Sequence, residues 1–186
     1  MLLFHRMRTL IVYESQSGST KKYAEDIAKA VSADLLPLKK FKAKIIPDYD
    51  CIVFGGWVRG AQIMGLNDFL AKYDAMEGKD VLVFSSGLSP ASEEGRKQLI
   101  SSNILDLYHV RYYQLQGSFD YAKLPLKSRL MFDFSIRRMQ SDPETDPLVI
   151  QQLVTVKNTP INFYDQAKID RIIAVINKLS LERATK

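Results

Sequence analysis

Short β-branched and aromatic runs alternate along this chain with longer stretches whose apolar residues recur at helical spacing. Thr9–Tyr13, Cys51–Gly55, Val81–Ser85 and Val110–Gln116 read as strands, with a weaker one at Leu35–Leu38. Helical periodicity predicts helices over Thr20–Ser32, Leu66–Tyr73, Pro90–Ser101 and Asp165–Leu181. The last pattern is the clearest, with Ile169, Ile172, Ile173, Ile176 and Leu179 on one face and Asp165 as its N-cap. Near-continuous apolar strands interleaved with helices predict an α/β fold, a doubly wound five-stranded parallel sheet covered on both faces. Residues 1–186 read as a single domain, without internal repeats or low-complexity tracts.

One stretch breaks the alternation. Gly117 to Tyr164, nearly fifty residues, separates the fifth strand from the last helix, where a plain connection takes about 2–6. It therefore reads as an insertion, over about 118–164, with structure of its own. Within it Leu126–Met139 carries Leu130, Met131, Phe134 and Ile136 beside Lys127, Arg129, Arg137 and Arg138. Asp142-Pro143-Glu144 breaks that pattern, with Pro147 just beyond. A basic amphipathic segment of this kind either packs on its own domain or lies against a membrane surface.

The junction between the first strand and first helix holds the most specific chemistry. Ile11-Val12-Tyr13 stops at Glu14-Ser15-Gln16-Ser17-Gly18-Ser19-Thr20, and helical spacing resumes with Ala24, Ile27, Ala28 and Val31. Backbone N–H groups at a helix start have no intrahelical partner, and the helix dipole favours an anion there. Four hydroxyls (Ser15, Ser17, Ser19, Thr20) surround them, and the loop has no lysine or arginine. The spacings G-x-x-x-x-G-K-[ST] and G-x-G-x-x-G are absent, so a nucleoside triphosphate or a dinucleotide pyrophosphate fits poorly. A terminal phosphomonoester fits well, through charge-assisted hydrogen bonds of about 1.5–3 kcal/mol each. The plainer alternative is a capped helix with Ser19 or Thr20 as N-cap.

This run resembles the flavodoxin signature: two apolar residues, an aromatic, then Ser15, Gly18, Thr20, Ala24 and Ile27 at the family's spacing. The resemblance implies FMN as cofactor, its phosphate held by Ser15, Gln16, Ser17, Gly18, Ser19 and Thr20. It also implies the flavodoxin-like strand order 2-1-3-4-5, whose ligands sit beyond the strands' carboxyl ends at the switch point.

Two further loops then become relevant. After the third strand comes Gly55-Gly56-Trp57-Val58-Arg59-Gly60. Gly56 would let backbone approach a ligand closely, Trp57 and Val58 would border an isoalloxazine ring, and Arg59 would favour negative charge on it. Otherwise Trp57 is an ordinary packed aromatic and Arg59 a solvated charge. After the fourth strand, Ser86, Gly87 and Leu88 would offer backbone donors to the ring, whether or not Ser89-Pro90 also starts a helix.

Composition narrows the picture further. Apolar residues make up 46% and charged residues 25%, ordinary values for a soluble globular chain. A single cysteine, Cys51, excludes an internal disulfide and fits a reducing, cytoplasmic setting; its apolar strand predicts a buried, inert thiol. The apolar run Leu2-Leu3-Phe4 is too short for a signal-peptide core, and Met7 is a second plausible start. No stretch approaches the length of a membrane span. Net charge of +5 favours anionic partners or a membrane surface, while no nucleic-acid-binding motif is present. His5 and His109 lie outside all three loops, and no metal-ligand spacing occurs, so no catalytic side chain and no metal is expected.

More narrowly, Tyr49-Asp50, the following strand and the Gly-containing loop with Val58-Arg59 are similar to the menaquinone-dependent protoporphyrinogen IX dehydrogenases. The Lys123–Met139 stretch followed by Asp142 to Asp146 resembles that group in composition and placement. The resemblance implies an oxidoreductase with a quinone acceptor and peripheral membrane contact through Lys123–Met139. A one-electron carrier serving a redox partner, and an interaction module without cofactor, are the alternatives.

Overall fold

The computed structural model describes residues 7–185; the Leu2–Phe4 run, Met1 and His5 lie outside the described residues. The chain begins with β1 (Thr9–Tyr13), α1 (Ser19–Val31), β2 (Asp34–Pro37) and β3 (Cys51–Arg59). Next come β4 (Gln62–Ile63), α2 (Leu66–Leu70), β5 (Asp80–Gly87), α3 (Glu93–Ser102) and β6 (Val110–Gln116). The insertion holds β7 (Ser118–Phe119), α4 (Leu126–Gln140), α5 (Pro147–Asn158) and β8 (Ile161–Asn162), and α6 (Asp170–Ala184) follows it.

The main sheet runs β2-β1-β3-β5-β6, all parallel. Counting parallel strands alone, this is the order 2-1-3-4-5 expected from the flavodoxin-like pattern. Strand alternation divides the core into two layers. Ile11, Val53 and Leu82 share a register row and pack against α1 (Tyr23, Ala24, Ile27, Ala28) and α6 (Ile172, Ile176, Leu179). The next row, Val12, Phe54, Val83 and Tyr112, meets Leu66, Phe69 and Leu70 of α2 and Leu99 of α3 on the opposite face. Each fully buried aliphatic or aromatic chain in these rows contributes about 1.5–3 kcal/mol. Cys51 is fully buried in the first layer, and desolvation pushes its thiol up to about 12, so it is inert as expected.

Several boundaries differ from the sequence reading. β3 does not end at Gly55: Gly56 and Trp57 continue the ladder beside Ser85 and Ser86. Val58 and Arg59 then pair with Ile63 and Gln62 across a turn at Gly60, whose φ is +60°. The loop expected there is thus a strand end and a tight hairpin. α3 starts three residues after Pro90, because Ser92, not Ser89, caps it by accepting from the Gly95 N–H at 3.0 Å. α2 is shorter than its apolar pattern, and a 3₁₀ turn over Tyr73–Met76 takes over. Asp165 does cap, but it caps a 3₁₀ turn, Gln166–Ile169, and α6 proper begins at Asp170.

The insertion has two helices where the pattern showed one. Pro147, read as lying beyond a break, sits in the first turn of α5, with Asp146 accepting from the Leu148 N–H at 2.9 Å. A short antiparallel ribbon of β7 and β8 closes the insertion's base. Phe132 of α4 packs near Phe119 and Tyr121, at ring-centroid separations of 5.3 and 5.8 Å. Asp133 links the two helices, pairing with Lys157 at 2.7 Å and accepting from the Tyr121 hydroxyl at 2.8 Å. These contacts hold the insertion together through Phe132 and Asp133, with Ile136 buried and Phe134 exposed. No helix among the described residues is long and apolar enough to cross a membrane.

Candidate functional site

A cleft of about 360 Å³ opens at the carboxyl ends of β3, β5 and β6 and at the start of α1. Gln16, Ser17 and Ser19 border it from the first loop. Trp57, Val58 and Arg59 border it from the end of β3, and Ser86, Gly87 and Leu88 from the end of β5. Nine of the thirteen expected residues thus meet around one space. Ser15, Gly18, Thr20 and Gly56 are not among its lining residues.

Local conformation explains three of these four. Gly18 occupies the N-cap position of α1 with φ +97°, in the left-handed region, and no side chain caps the helix. The alternative of Ser19 or Thr20 as N-cap is therefore replaced by a glycine cap, which leaves the first-turn N–H groups open to an anion. Thr20 is fully buried, its hydroxyl 2.8 Å from that of Ser86. Gly56 is a glycine for packing reasons: a Cβ there would lie 2.6 Å from Ile63 Cγ2 and 2.7 Å from the Met64 carbonyl oxygen. Close approach to the β4 hairpin, not to a ligand, accounts for it.

The loop hydroxyls are held by the insertion. Ser19 Oγ accepts from the Ser118 N–H at 2.8 Å and lies 2.9 Å from the Ser118 carbonyl, and Ser17 Oγ donates to the same carbonyl at 3.2 Å. Gln16 Nε2 donates to Ser128 Oγ at 2.6 Å, reaching α4 directly. Ser15 Oγ is buried and has no hydrogen-bond partner among the described residues. Such an orphan is costly unless a ligand or water satisfies it.

On the opposite wall the Arg59 guanidinium lies 5.9 Å from the Trp57 ring centroid. Gln116 Nε2 donates to the Leu88 carbonyl at 2.9 Å, fixing the segment after β5. The insertion completes the enclosure with Phe119, Leu124, Met131, Phe132 and Leu153. Sequence reasoning missed Ser118, Phe119 and Leu153, and gave Leu124 and Ser128 no role of their own within the Lys123–Met139 stretch. Ser118 contacts Ser19 across 99 positions, a separation with no local signal; Met131 and Phe132 at least belonged to the segment already singled out.

These residues fit FMN. An uncapped helix start, a partnerless buried serine and neutral hydroxyls suit a monoester phosphate, and a cleft walled by Trp57, Leu88 and Phe132 suits a flat aromatic ring. His109 lies outside the cleft, its backbone N–H donating to the Tyr73 hydroxyl at 2.8 Å. Among the described residues no cluster of three His, Cys, Asp or Glu is placed to hold a metal.

The family follows from these features and from comparison. A flavodoxin domain model matches residues 10–146, and the chain belongs to the flavodoxin domain family, whose members are flavin-linked redox proteins that typically bind FMN. Among solved structures, a flavodoxin from the domain Archaea is 18% identical, with 67% of this chain and 90% of that one covered at a TM-score of 0.47. Oxidised flavodoxin 2 from Bacillus cereus is 22% identical (59% and 84% covered, TM-score 0.43). A flavoprotein in complex with FMN from Lactobacillus acidophilus NCFM is 19% identical (59% and 92% covered, TM-score 0.44). No curated protein matches the chain.

Proposed function

We propose that this flavodoxin-family protein binds FMN in the cleft and is an oxidoreductase that exchanges electrons with an apolar second substrate beneath the insertion. The observation carrying this reading is that Leu124, Met131, Phe132 and Leu153 of the insertion line the same cleft as Gln16, Ser17 and Ser19 of the phosphate loop. The flavin, when bound, supplies reversible electron chemistry at its ring. Ser15 to Thr20 hold its phosphate, Trp57 and Ser86 to Leu88 border the ring, and Arg59 favours negative charge beside it. Insertion side chains exclude water and offer an apolar wall, which a carrier serving only protein partners does not need.

The substrate reading that these walls support is a protoporphyrinogen IX dehydrogenase-like reaction with a quinone acceptor. Apolar surface from the insertion would meet the macrocycle body, and Arg59 at the cleft rim would meet its carboxylates. The test is purification, an absorption spectrum with assay of the released flavin, and anaerobic oxidation of protoporphyrinogen IX with several quinones. Turnover that falls at least about tenfold in Phe132→Ala, with FMN still bound, supports the reading. Full FMN occupancy without turnover on any quinone refutes it and favours a one-electron carrier.

A further inference from the structure

Ser118, at the start of β7, offers one carbonyl to two hydroxyls of the loop before α1, Ser19 Oγ at 2.9 Å and Ser17 Oγ at 3.2 Å. A serine hydroxyl carries a single proton, so in this arrangement neither Ser17 nor Ser19 has one left for another acceptor. Ser19 Oγ also accepts from the Ser118 N–H at 2.8 Å and lies 2.8 Å from Ser118 Oγ, which fills its remaining positions. Gln16 Nε2 gives one of its protons to Ser128 Oγ on α4 at 2.6 Å. Gln16, Ser17 and Ser19 are thus engaged by the insertion, and all three line the cleft. Ser15 differs from them. Its Oγ is buried without a hydrogen-bond partner among the described residues, and the first turn of α1 has no side-chain cap. Both are open to an anion with no rearrangement.

We propose that Ser118 is a latch: its carbonyl engages the Ser17 and Ser19 protons that the flavin phosphate needs, so full phosphate coordination and latch closure exclude one another. A carbonyl oxygen and a phosphate oxygen are both acceptors, cannot share these two protons, and repel each other at close range. Ser15 and the helix start receive the phosphate first. The charged acceptor then displaces the neutral carbonyl, because hydrogen bonds to an ionised acceptor are about twice as strong. Release of the latch has a defined reach. The Gly117 N–H stays on the Gly87 carbonyl at 2.7 Å, so the chain pivots beyond that point. Phe119 follows Ser118, and its ring centroid lies 5.3 Å from that of Phe132, which also lines the cleft. Phosphate occupancy is thereby transmitted to the apolar wall that the insertion supplies. The inference rests on the flavin reading for the source of the phosphate, and gives Ser118 a role which that reading does not.

The test is amide hydrogen exchange of the intact protein, read at the Ser118 N–H by NMR, with FMN, riboflavin or inorganic phosphate added. FMN and phosphate should each speed Ser118 exchange at least about tenfold, and riboflavin, which lacks the group, should leave it unchanged. Ser128→Ala frees the Gln16 amide and should raise the ratio of FMN to riboflavin affinity about fivefold. Ser118 exchange that bound FMN leaves unchanged or slows overturns the proposal. So does equal acceleration by riboflavin, or an affinity ratio that stays level or falls in Ser128→Ala. If neither flavin binds, the flavin reading fails separately and inorganic phosphate decides the latch: Ser118 exchange unchanged at saturating phosphate overturns it.

Discussion

Thr20 and Ser86 join the phosphate loop to the end of β5, and a pair of substitutions tests that joint quantitatively. Their hydroxyls lie 2.8 Å apart with Thr20 1% and Ser86 4% exposed. Thr20→Val keeps nearly the same shape and deletes Oγ1, leaving the Ser86 hydroxyl buried without this partner. Stranding a buried hydroxyl costs about 1–3 kcal/mol. Ser86→Ala strands Thr20 Oγ1 at a similar cost. The double variant strands neither, so its destabilisation should fall short of the sum by about 1 kcal/mol or more, within the range of contacting pairs. Urea unfolding of the apoprotein at constant m-value measures all four corners of the cycle. Effects that add to within about 0.3–0.5 kcal/mol would refute the bond. A second readout connects the pair to function. Ser86 borders the cleft while Thr20 anchors it from behind, so Thr20→Val should also weaken FMN measurably by loosening that wall.

Trp57 is the only tryptophan in the chain, so its emission reports the ring site without ambiguity. It should be strongly quenched with FMN bound and recover on removal; unchanged emission would place the ring elsewhere. A pH effect follows from Asp26 on α1. Burial alone would raise its carboxyl, but hydrogen bonds from the Tyr164 hydroxyl and Lys22 outweigh that and hold it below the usual value. A depressed carboxylate contributes stability that is present above its unfolded pKa and lost as pH falls through the folded one. Tyr164→Phe should therefore destabilise more at pH 7 than at acid pH, and an equal loss at both would remove Asp26 from the account.

Much of this architecture is legible in the sequence because it rests on local periodicity. The apolar rows of β1, β3 and β5 and the Ile172–Ile176–Leu179 stripe of α6 announce two-sided burial before any contact is known. The phosphate loop is legible for a similar reason: its glycine, hydroxyls and helix start are contiguous. What stayed hidden depends on pairing at long range. Whether Gly56 and Trp57 continue a strand is decided by Ser85 and Ser86, about thirty residues away. Pro147 opens a helix or ends a segment according to the cap that precedes it, and Asp146 supplies that cap. The roof of the cleft was beyond reach, because Ser118 and Ser128 meet Ser19 and Gln16 only after the insertion folds back.

The central claim is that the Ser15–Thr20 loop binds the FMN phosphate. Comparing FMN with riboflavin by fluorescence titration of the apoprotein tests it most directly, because the two ligands differ only in that group. At about 1.5–3 kcal/mol for each hydrogen bond to a charged acceptor, losing even two such bonds should weaken riboflavin about a hundredfold or more. Ser15→Ala should narrow that gap, since its buried hydroxyl has no partner among the described residues. Equal affinity for the two flavins, or no flavin binding at all, would contradict the account.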